Sequence, residues 1–200
     1  MSNLYPICEI FDSIQGEGIW TGIPAVFVRF HGCNLRCCWC DTKETWSGKA
    51  KEMTTEEILS KINLEHVIIT GGEPLLYDLT ELFDLLHQEG KKVHVETNGT
   101  QLWKESYPPD IWITVSPKKE SGYSIHPSLL ARAGEYKYVV DEGFNPDIIP
   151  EFSLAKGKEK LVFLSPENVR PEMIQKAYEI VFQYPYCRLM VQMHKLIGVK

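Results

Sequence analysis

Short β-forming runs alternate with amphipathic helical runs along most of the chain, and this alternation limits its fold more than any other feature. The predicted strands are residues 5–11, 25–30, 66–69, 92–96, 111–115, 136–140, 160–164 and 188–193. The predicted helices follow a capping box at 54–57, occupy 79–86 and 127–133, and begin at Pro171. Such alternation predicts a parallel sheet with helices outside it.

The number of units indicates which parallel fold this is. About four helical runs are visible, and 200 residues are few beside the ~250 typical of a complete (β/α)8 barrel. We therefore expect an α/β fold with a partial, open (β/α) barrel, formed by residues 1–200 as a single domain. A flavodoxin-like layered sheet is the alternative.

Five polar or glycine-rich segments each follow a predicted strand. They are Gly32-Cys33, Thr70-Gly71-Gly72-Glu73-Pro74, Thr97-Asn98-Gly99-Thr100, Ser116-Pro117-Lys118 and Ser165-Pro166-Glu167-Asn168. Parallel α/β folds build their sites where the carboxyl ends of the strands meet. Five such loops predict a broad site that holds more than one ligand.

Four of the six cysteines lie within eight residues, and Cys33, Cys37 and Cys40 form a C-x3-C-x2-C pattern. Disulfide scaffolds of secreted proteins spread their cysteines instead. Three interpretations remain: free thiols, a zinc site completed by a neighbouring side chain, or an iron–sulfur cluster with one open iron. We favour the cluster, with Cys38, Cys8 and Cys187 as packing residues.

The charge balance bears on partners and location. Lys+Arg 21 minus Asp+Glu 27 gives −6, so the chain is a poor candidate for binding nucleic acid. No apolar run approaches the ~20 residues that cross a bilayer, and the first residues show no secretory signal. We expect a cytoplasmic protein without a membrane partner.

Several polar residues have side chains suited to ligands, although each could instead serve a turn or a strand surface. Glu73 carries a charge suited to an ammonium group. The Gln15 amide can pair with a heterocycle edge, and the Arg29 guanidinium can bind a carboxylate in bidentate fashion. The Thr42 hydroxyl could bind magnesium.

The cysteine pattern together with Gly71-Gly72-Glu73-Pro74 resembles the radical S-adenosylmethionine (SAM) superfamily. Further motifs resemble the 7-carboxy-7-deazaguanine synthase family, and the resemblance extends from Glu9 to His194. These motifs are Ser13-Ile14-Gln15-Gly16-Glu17-Gly18, Cys40-Asp41-Thr42, Glu96-Thr97-Asn98-Gly99-Thr100, Ser116-Pro117-Lys118 and Gln192-x-His194-Lys195.

The resemblance implies a ligand set. Cys33, Cys37 and Cys40 would hold a 4Fe–4S cluster, and Thr42 would bind Mg²⁺. The residues implied for SAM are Trp39, Cys40, Asp41, Gly72, Glu73, Gly99, Ser116, Pro117, Lys118, Ser165, Pro166, Glu167 and Asn168. Those implied for a pterin substrate are Ile14, Gln15, Gly16, Arg29 and Thr97. Residues 165–168 depart from the family's Gln-Pro segment, and Gly198-Val199-Lys200 stands where some members have a proline.

The resemblance also implies a reaction. A radical derived from SAM would convert 6-carboxy-5,6,7,8-tetrahydropterin to 7-carboxy-7-deazaguanine with loss of ammonia, a step in deazapurine and queuosine biosynthesis. The expected partners are an electron donor such as flavodoxin or ferredoxin and a second copy of the chain. Two alternatives stay open: a radical SAM activase acting on a protein, and a non-catalytic zinc module.

Overall fold

The computed structural model describes residues 3–149 and 160–200. Its strands are β1 (Leu4–Ile14), β2 (Pro24–Phe30), β3 (Lys51–Thr54), β4 (His66–Gly71), β5 (Lys92–Thr97), β6 (Trp112–Val115), β7 (Glu135–Val140), β8 (Leu161–Pro166) and β9 (Cys187–Leu189). Its α-helices are α1 (Glu44–Ser47), α2 (Thr55–Leu59), α3 (Thr80–Gln88), α4 (Pro127–Arg132), α5 (Pro171–Gln183) and α6 (Met193–Ile197). Within this described part, no helix is long and apolar enough to cross a membrane.

All nine strands join one sheet in the order β3-β1-β2-β4-β5-β6-β7-β8-β9. From β2 to β9 every neighbouring pair is parallel, whereas β1 pairs antiparallel with both β2 and β3. In a flavodoxin-like sheet the strands stay parallel, but the order in which they are added reverses at an internal switch point. Here each parallel strand lies beside the preceding one without reversal, so the open partial barrel is confirmed.

Alternation along the strands separates a polar interior from an apolar layer beneath the helices. The polar cavity-lining residues of these strands include Arg29 of β2, Thr70 of β4, Glu96 of β5 and Lys137 of β7. Their chain neighbours Val28, Ile69 and Val95 are fully buried in a core that also contains Leu82 and Phe83 of α3. The inside of the barrel is therefore polar where its strands end, while the apolar layer holds the fold together.

The helix predicted after the capping box is confirmed. The Thr54 hydroxyl accepts from the Glu57 amide at 3.2 Å, and the Glu57 carboxylate accepts from the Thr54 amide at 2.9 Å. These two bonds satisfy donors that a helix amino terminus otherwise leaves free. Ile58 of the same helix is fully buried against the core.

The strand predicted at 188–193 is wrong over most of its length. β9 ends at Leu189, and Met193 begins α6. β9 is the edge strand of the sheet and pairs with β8 alone. After β9 the chain turns towards the loop that follows β1, where the Met193 amide donates to the Gly16 carbonyl at 3.0 Å. The strand β3 and helix α1 were not predicted, because they are short and mostly exposed and so show no apolar period.

A buried aromatic cluster closes the barrel at the amino-terminal ends of its strands. The Trp20 ring lies 4.9 Å from His94 and 5.8 Å from Trp112, centroid to centroid. His66 Nδ1 is 3.1 Å from His94 Nε2. Burial, reinforced by the neighbouring His66, lowers the pKa of His94 to about 4, so the His94 ring is uncharged at neutral pH.

This cluster predicts a loss of stability in mild acid. The folded-state pKa of His94 lies below the value of about 6.5 expected in the unfolded chain, so its contribution is complete above pH 6.5. It should fall by about 2–3 kcal/mol as the pH drops to 4. Urea unfolding at several pH values measures the free energy of unfolding. Its decrease between pH 6.5 and 4 should be smaller in His94→Leu and unchanged in His87→Ala, whose ring is exposed.

Candidate active site

The carboxyl ends of the parallel strands open into a cavity of about 490 Å³. Loops that follow β2, β4, β5, β6 and β8 contribute to its wall, together with the segment that follows β1 and the last nine residues described. This is the position at which parallel α/β folds build their sites, and the cavity is large enough for more than one small ligand.

The cysteine loop, residues 33–42, forms one wall. Cys33, Cys37 and Cys40 all line the cavity, whereas the side chain of Cys38 is exposed and lies outside it. Burial raises the pKa of Cys33, and it raises that of Cys37 to about 12, with help from a hydrogen bond to Glu120. Both thiols therefore hold their protons until a metal displaces them.

The cysteine loop offers three thiols as metal donors. Within residues 3–149 and 160–200, no three His, Cys, Asp or Glu side chains converge to hold one metal ion. A cubane makes a different demand, because each of its cysteines binds a different iron. Gly72 brings the end of β4 against the loop: a Cβ there would lie 2.0 Å from the Gly32 carbonyl and 2.9 Å from Cys33 Cβ.

Glu73 organises the loop after β5 from behind the cavity wall. It is completely buried, and its carboxylate accepts from the Thr97 hydroxyl at 2.7 Å and the Asn98 amide at 2.6 Å. Burial raises its pKa to about 7. Asn98 in turn donates to Asn34 at 2.9 Å, so this carboxylate supports both the Asn-Gly turn and the cysteine loop.

The loop after β6 places a buried cation in the cavity. Lys118 Nζ donates to Ser116 Oγ at 2.6 Å and lies 5.1 Å from the centre of the Trp39 ring. Burial lowers the pKa of Lys118 to about 8, so the ammonium form still prevails at neutral pH. Lys118 therefore presents positive charge beside the cysteine loop, with Trp39 as a cation–π partner.

Another part of the cavity wall, on β2, β4, β5 and the segment after β1, carries polar side chains that suit a heterocyclic ligand. Gln15 Nε2 donates to Glu96 at 3.0 Å, and the Thr70 hydroxyl donates to the same carboxylate at 3.2 Å. Arg29 Nε donates to Glu9 at 2.8 Å, which leaves the rest of its guanidinium facing the cavity. This side can therefore exchange hydrogen bonds with a polar ring and offer positive charge to an anion.

Comparisons with known proteins agree on one family. Residues 27–110 match the model of the Radical SAM superfamily. Two proteins named 7-carboxy-7-deazaguanine synthase, from Aquifex aeolicus and Bacteroides thetaiotaomicron, are 38% and 40% identical to the chain. The matches cover 98% and 97% of this chain, and 95% and 98% of those proteins. The chain belongs to the 7-carboxy-7-deazaguanine synthase family. The crystal structure of QueE from Escherichia coli superposes with a TM-score of 0.82 at 33% identity, over 96% of this chain and 95% of that one.

Most residues that the family resemblance suggested lie around the same cavity. The cavity-lining ones are Ile14, Gln15, Arg29, Cys33, Cys37, Trp39, Cys40, Asp41, Thr42, Gly72, Thr97, Ser116, Lys118, Ser165, Pro166, Glu167 and Asn168. Four others stand behind the wall: Gly16, Glu73, Gly99 and Pro117. His194, near the carboxyl end of the chain, packs over Gly16, because a Cβ at this glycine would lie 2.0 Å from His194 Nδ1.

The segment 165–168 is partly strand, contrary to its prediction as a loop. Ser165 and Pro166 end β8, and the chain then turns through Asn168 at a φ of 49°. Glu167 accepts from Arg170 at 3.2 Å. All four residues of the segment still line the cavity.

Several cavity residues escaped the sequence analysis, above all Glu9, Phe11, Phe27 and Lys137. Lys137 lies between Tyr136 and Tyr138 in β7, and a charge between two aromatic residues of a strand was the available signal. Its partner Glu17 is 120 positions away in the chain, so the pair itself had no local signal. Phe11 and Phe27 read as ordinary strand residues, but they face each other across β1 and β2 with stacked rings.

Proposed function

We infer that this chain converts 6-carboxy-5,6,7,8-tetrahydropterin to 7-carboxy-7-deazaguanine and releases ammonia. As a member of a radical SAM family, it uses a 4Fe–4S cluster and SAM. One observation carries the inference: in a chain of this family, three cysteines and the polar group of Gln15, Arg29 and Thr97 line one cavity. Cofactor and substrate can therefore meet there.

For the cluster we propose Cys33, Cys37 and Cys40 as ligands, since their side chains share one wall. When bound, the cluster and SAM supply a carbon radical that removes hydrogen from the substrate. The protein binds and orients its ligands, because such a radical attacks whichever hydrogen is nearest. Trp39 and Lys118 form a cation–π contact beside the cysteines. Together they line the space in which SAM would be held.

For SAM we propose contacts from the cysteine loop and from the ends of β4, β5, β6 and β8. They come from Trp39, Cys40, Asp41, Gly72, Glu73, Gly99, Ser116, Pro117, Lys118, Ser165, Pro166, Glu167 and Asn168. For Glu73, Gly99 and Pro117 the proposed contribution is indirect, since they stand behind the wall and shape its loops. Lys118 supplies the positive charge that suits the SAM carboxylate.

For the substrate we propose contacts from Ile14, Gln15, Arg29 and Thr97, an indirect contribution from Gly16, and Thr42 as a ligand of Mg²⁺. The guanidinium of Arg29 suits the substrate carboxylate, and Glu9 holds it in place. The Thr42 hydroxyl lies next to Cys40 and lines the cavity, where it would hold a bound Mg²⁺. The metal would neutralise the substrate carboxylate and fix its position.

The proposed setting of the enzyme follows the same reasoning. We propose flavodoxin or ferredoxin as electron donor, a homodimer as the assembly, and the cytoplasm as the compartment. The chain's net charge of −6 agrees with a small-molecule substrate and offers no general attraction for nucleic acid. Residues 1–200 are proposed to be one radical SAM domain, which the single core cluster spanning β1 to β9 supports.

The function is tested by anaerobic turnover with the tetrahydropterin, and Arg29→Gln distinguishes it from the alternatives. This variant should lose at least about 1.5–3 kcal/mol of substrate binding, a fall of about 10- to 100-fold in kcat/KM, while keeping its cluster. Arg188→Gln, on the exposed face of β9, is the matched control and should stay within about twofold.

Three other outcomes would contradict the proposal. A glycyl-radical activase would cleave SAM without making deazaguanine, and Arg29→Gln would leave that cleavage unchanged. A zinc module would hold stoichiometric zinc and no iron after anaerobic purification. Equal kcat/KM in Arg29→Gln and Arg188→Gln would remove Arg29 from the substrate site.

A further inference from the structure

The cysteine loop between β2 and α1 has little backbone support of its own, although Arg36 donates to the Cys33 carbonyl at 2.6 Å and to the Leu35 carbonyl at 2.8 Å. Residues 33–40 contain neither strand nor helix, and one backbone hydrogen bond closes within them, from the Cys40 amide to the Cys37 carbonyl at 3.2 Å. Its first part is held by Asn34, which contacts Thr100 at 2.8 Å and Asn98 at 2.9 Å. The position of this loop is therefore set by contacts with other parts of the chain.

The end of the loop is held by the carboxyl-terminal segment, which we define as residues 192–200. Lys195 Nζ donates to Asp41 Oδ2 at 2.9 Å, and Asp41 follows Cys40 directly. The two residues are 154 positions apart in the chain, and both line the cavity. A cation 154 positions further along the chain therefore contacts the residue that follows the third cysteine of the cluster motif.

The carboxyl-terminal segment is itself fixed to the substrate side of the cavity. The Met193 amide donates to the Gly16 carbonyl at 3.0 Å, and Gln192 Nε2 donates to Glu17 Oε1 at 2.7 Å. Glu17 is buried and pairs with Lys137 of β7. Lys195 thus extends from a segment anchored to the barrel, which allows its ammonium to hold a loop rather than follow it.

We propose that Lys195 is a positioning residue that fixes the cysteine loop over the cavity through its ion pair with Asp41. The pair connects the loop of Cys40 and Thr42 to the Gly16 loop, on the side where substrate is proposed to bind. The role of Lys195 in turnover rests on the proposed function, but its hold on the loop does not. One side-chain contact therefore links the position of the cysteine loop to that of the Gly16 loop.

The test measures loop motion and cluster retention together. In the full chain without cluster, Lys195→Ala should speed hydrogen exchange of amides 34–41 about two- to fivefold, the effect expected for one half-exposed ion pair. In the reconstituted holoenzyme, iron release to a ferrous chelator should accelerate by a similar factor. Lys195→Arg should restore both rates, and high salt should narrow the difference from the unaltered protein.

The matched control is Lys104→Ala. It removes the ion pair between Lys104 and Asp78, which is 2.7 Å long, about as exposed as the Lys195 pair, and away from the cavity. It should leave amides 34–41 and the iron-release rate unchanged. A charge-exchanged chain, Lys195→Glu with Asp41→Lys, should regain slow exchange in the same amides. If Lys195→Ala behaves like Lys104→Ala in both measurements, the positioning role is refuted. Failure of tetrahydropterin turnover in the unaltered protein would instead refute the proposed function and leave these rates informative.

Discussion

Replacing Cys37 by alanine is expected to eliminate the cluster and reduce deazaguanine formation to background. Cys37 shares the cavity wall with Cys33 and Cys40, so its loss leaves two thiolates where three are proposed to hold the cubane. The side chain is only partly buried, so the protein should still fold. Iron and sulfide content, visible absorbance and anaerobic turnover measure the effect, and circular dichroism checks the fold.

Cys38→Ala is the control for this prediction. Cys38 is the chain neighbour of Cys37, but its side chain is exposed and lies outside the cavity. The variant should keep the iron content of the unaltered protein and turn over substrate within about twofold of its rate, as expected for a surface substitution. Loss of the cluster in Cys38→Ala, or its retention in Cys37→Ala, would overturn the assignment of ligands.

Replacing Lys137 by methionine is expected to lower the free energy of unfolding by about 3–5 kcal/mol at pH 7. Lys137 is buried and pairs with Glu17, whose other side-chain donor is Gln192 at 2.7 Å. Burial alone would lower the pKa of Lys137, but the charge of Glu17 raises it above its ordinary value. Without this ammonium, Glu17 keeps a buried charge with no cation or must take up a proton. Urea unfolding of the reduced apo-protein measures the change.

Two further chains make this measurement decisive. Lys92→Met removes an exposed pair with Glu65 at 3.0 Å and should leave the free energy of unfolding nearly unchanged. Lys137→Met combined with Glu17→Gln removes both charges of the buried pair and should be more stable than Lys137→Met alone. Equal stability of the single and double variants would show that the carboxylate of Glu17 is not the source of the cost.

Local patterns were sufficient to predict the main elements of the fold. The period of Leu79, Leu82, Phe83 and Leu86 predicted α3, and the capping box predicted α2, since both signals lie within one or two helical turns. The polar loops after strands predicted the cavity wall because parallel strands all end on one side. What these predictions share is that each depends on residues close in the chain, or on a rule of sheet geometry.

The remaining parts of the site depend on contacts between distant residues. Glu17 with Lys137, and Asp41 with Lys195, are separated by 120 and 154 positions. The sequence indicated that the charge of Glu73 suits an ammonium group, and in the folded chain its carboxylate accepts from the Thr97 hydroxyl and from the Asn98 and Leu75 amides. A sequence motif indicates that such a residue matters, but only the folded chain decides which atoms it meets.

The strand order has a consequence for how the enzyme is assembled on the ribosome. From β2 onward, each parallel strand pairs with the one made just before it, so the sheet can grow one unit at a time as the polypeptide emerges. The contacts of Met193 with Gly16 and of Lys195 with Asp41 are exceptions, because they join residues made late to residues made early. Until translation delivers Met193 and Lys195, the Gly16 loop and the cysteine loop of the nascent barrel lack these two contacts.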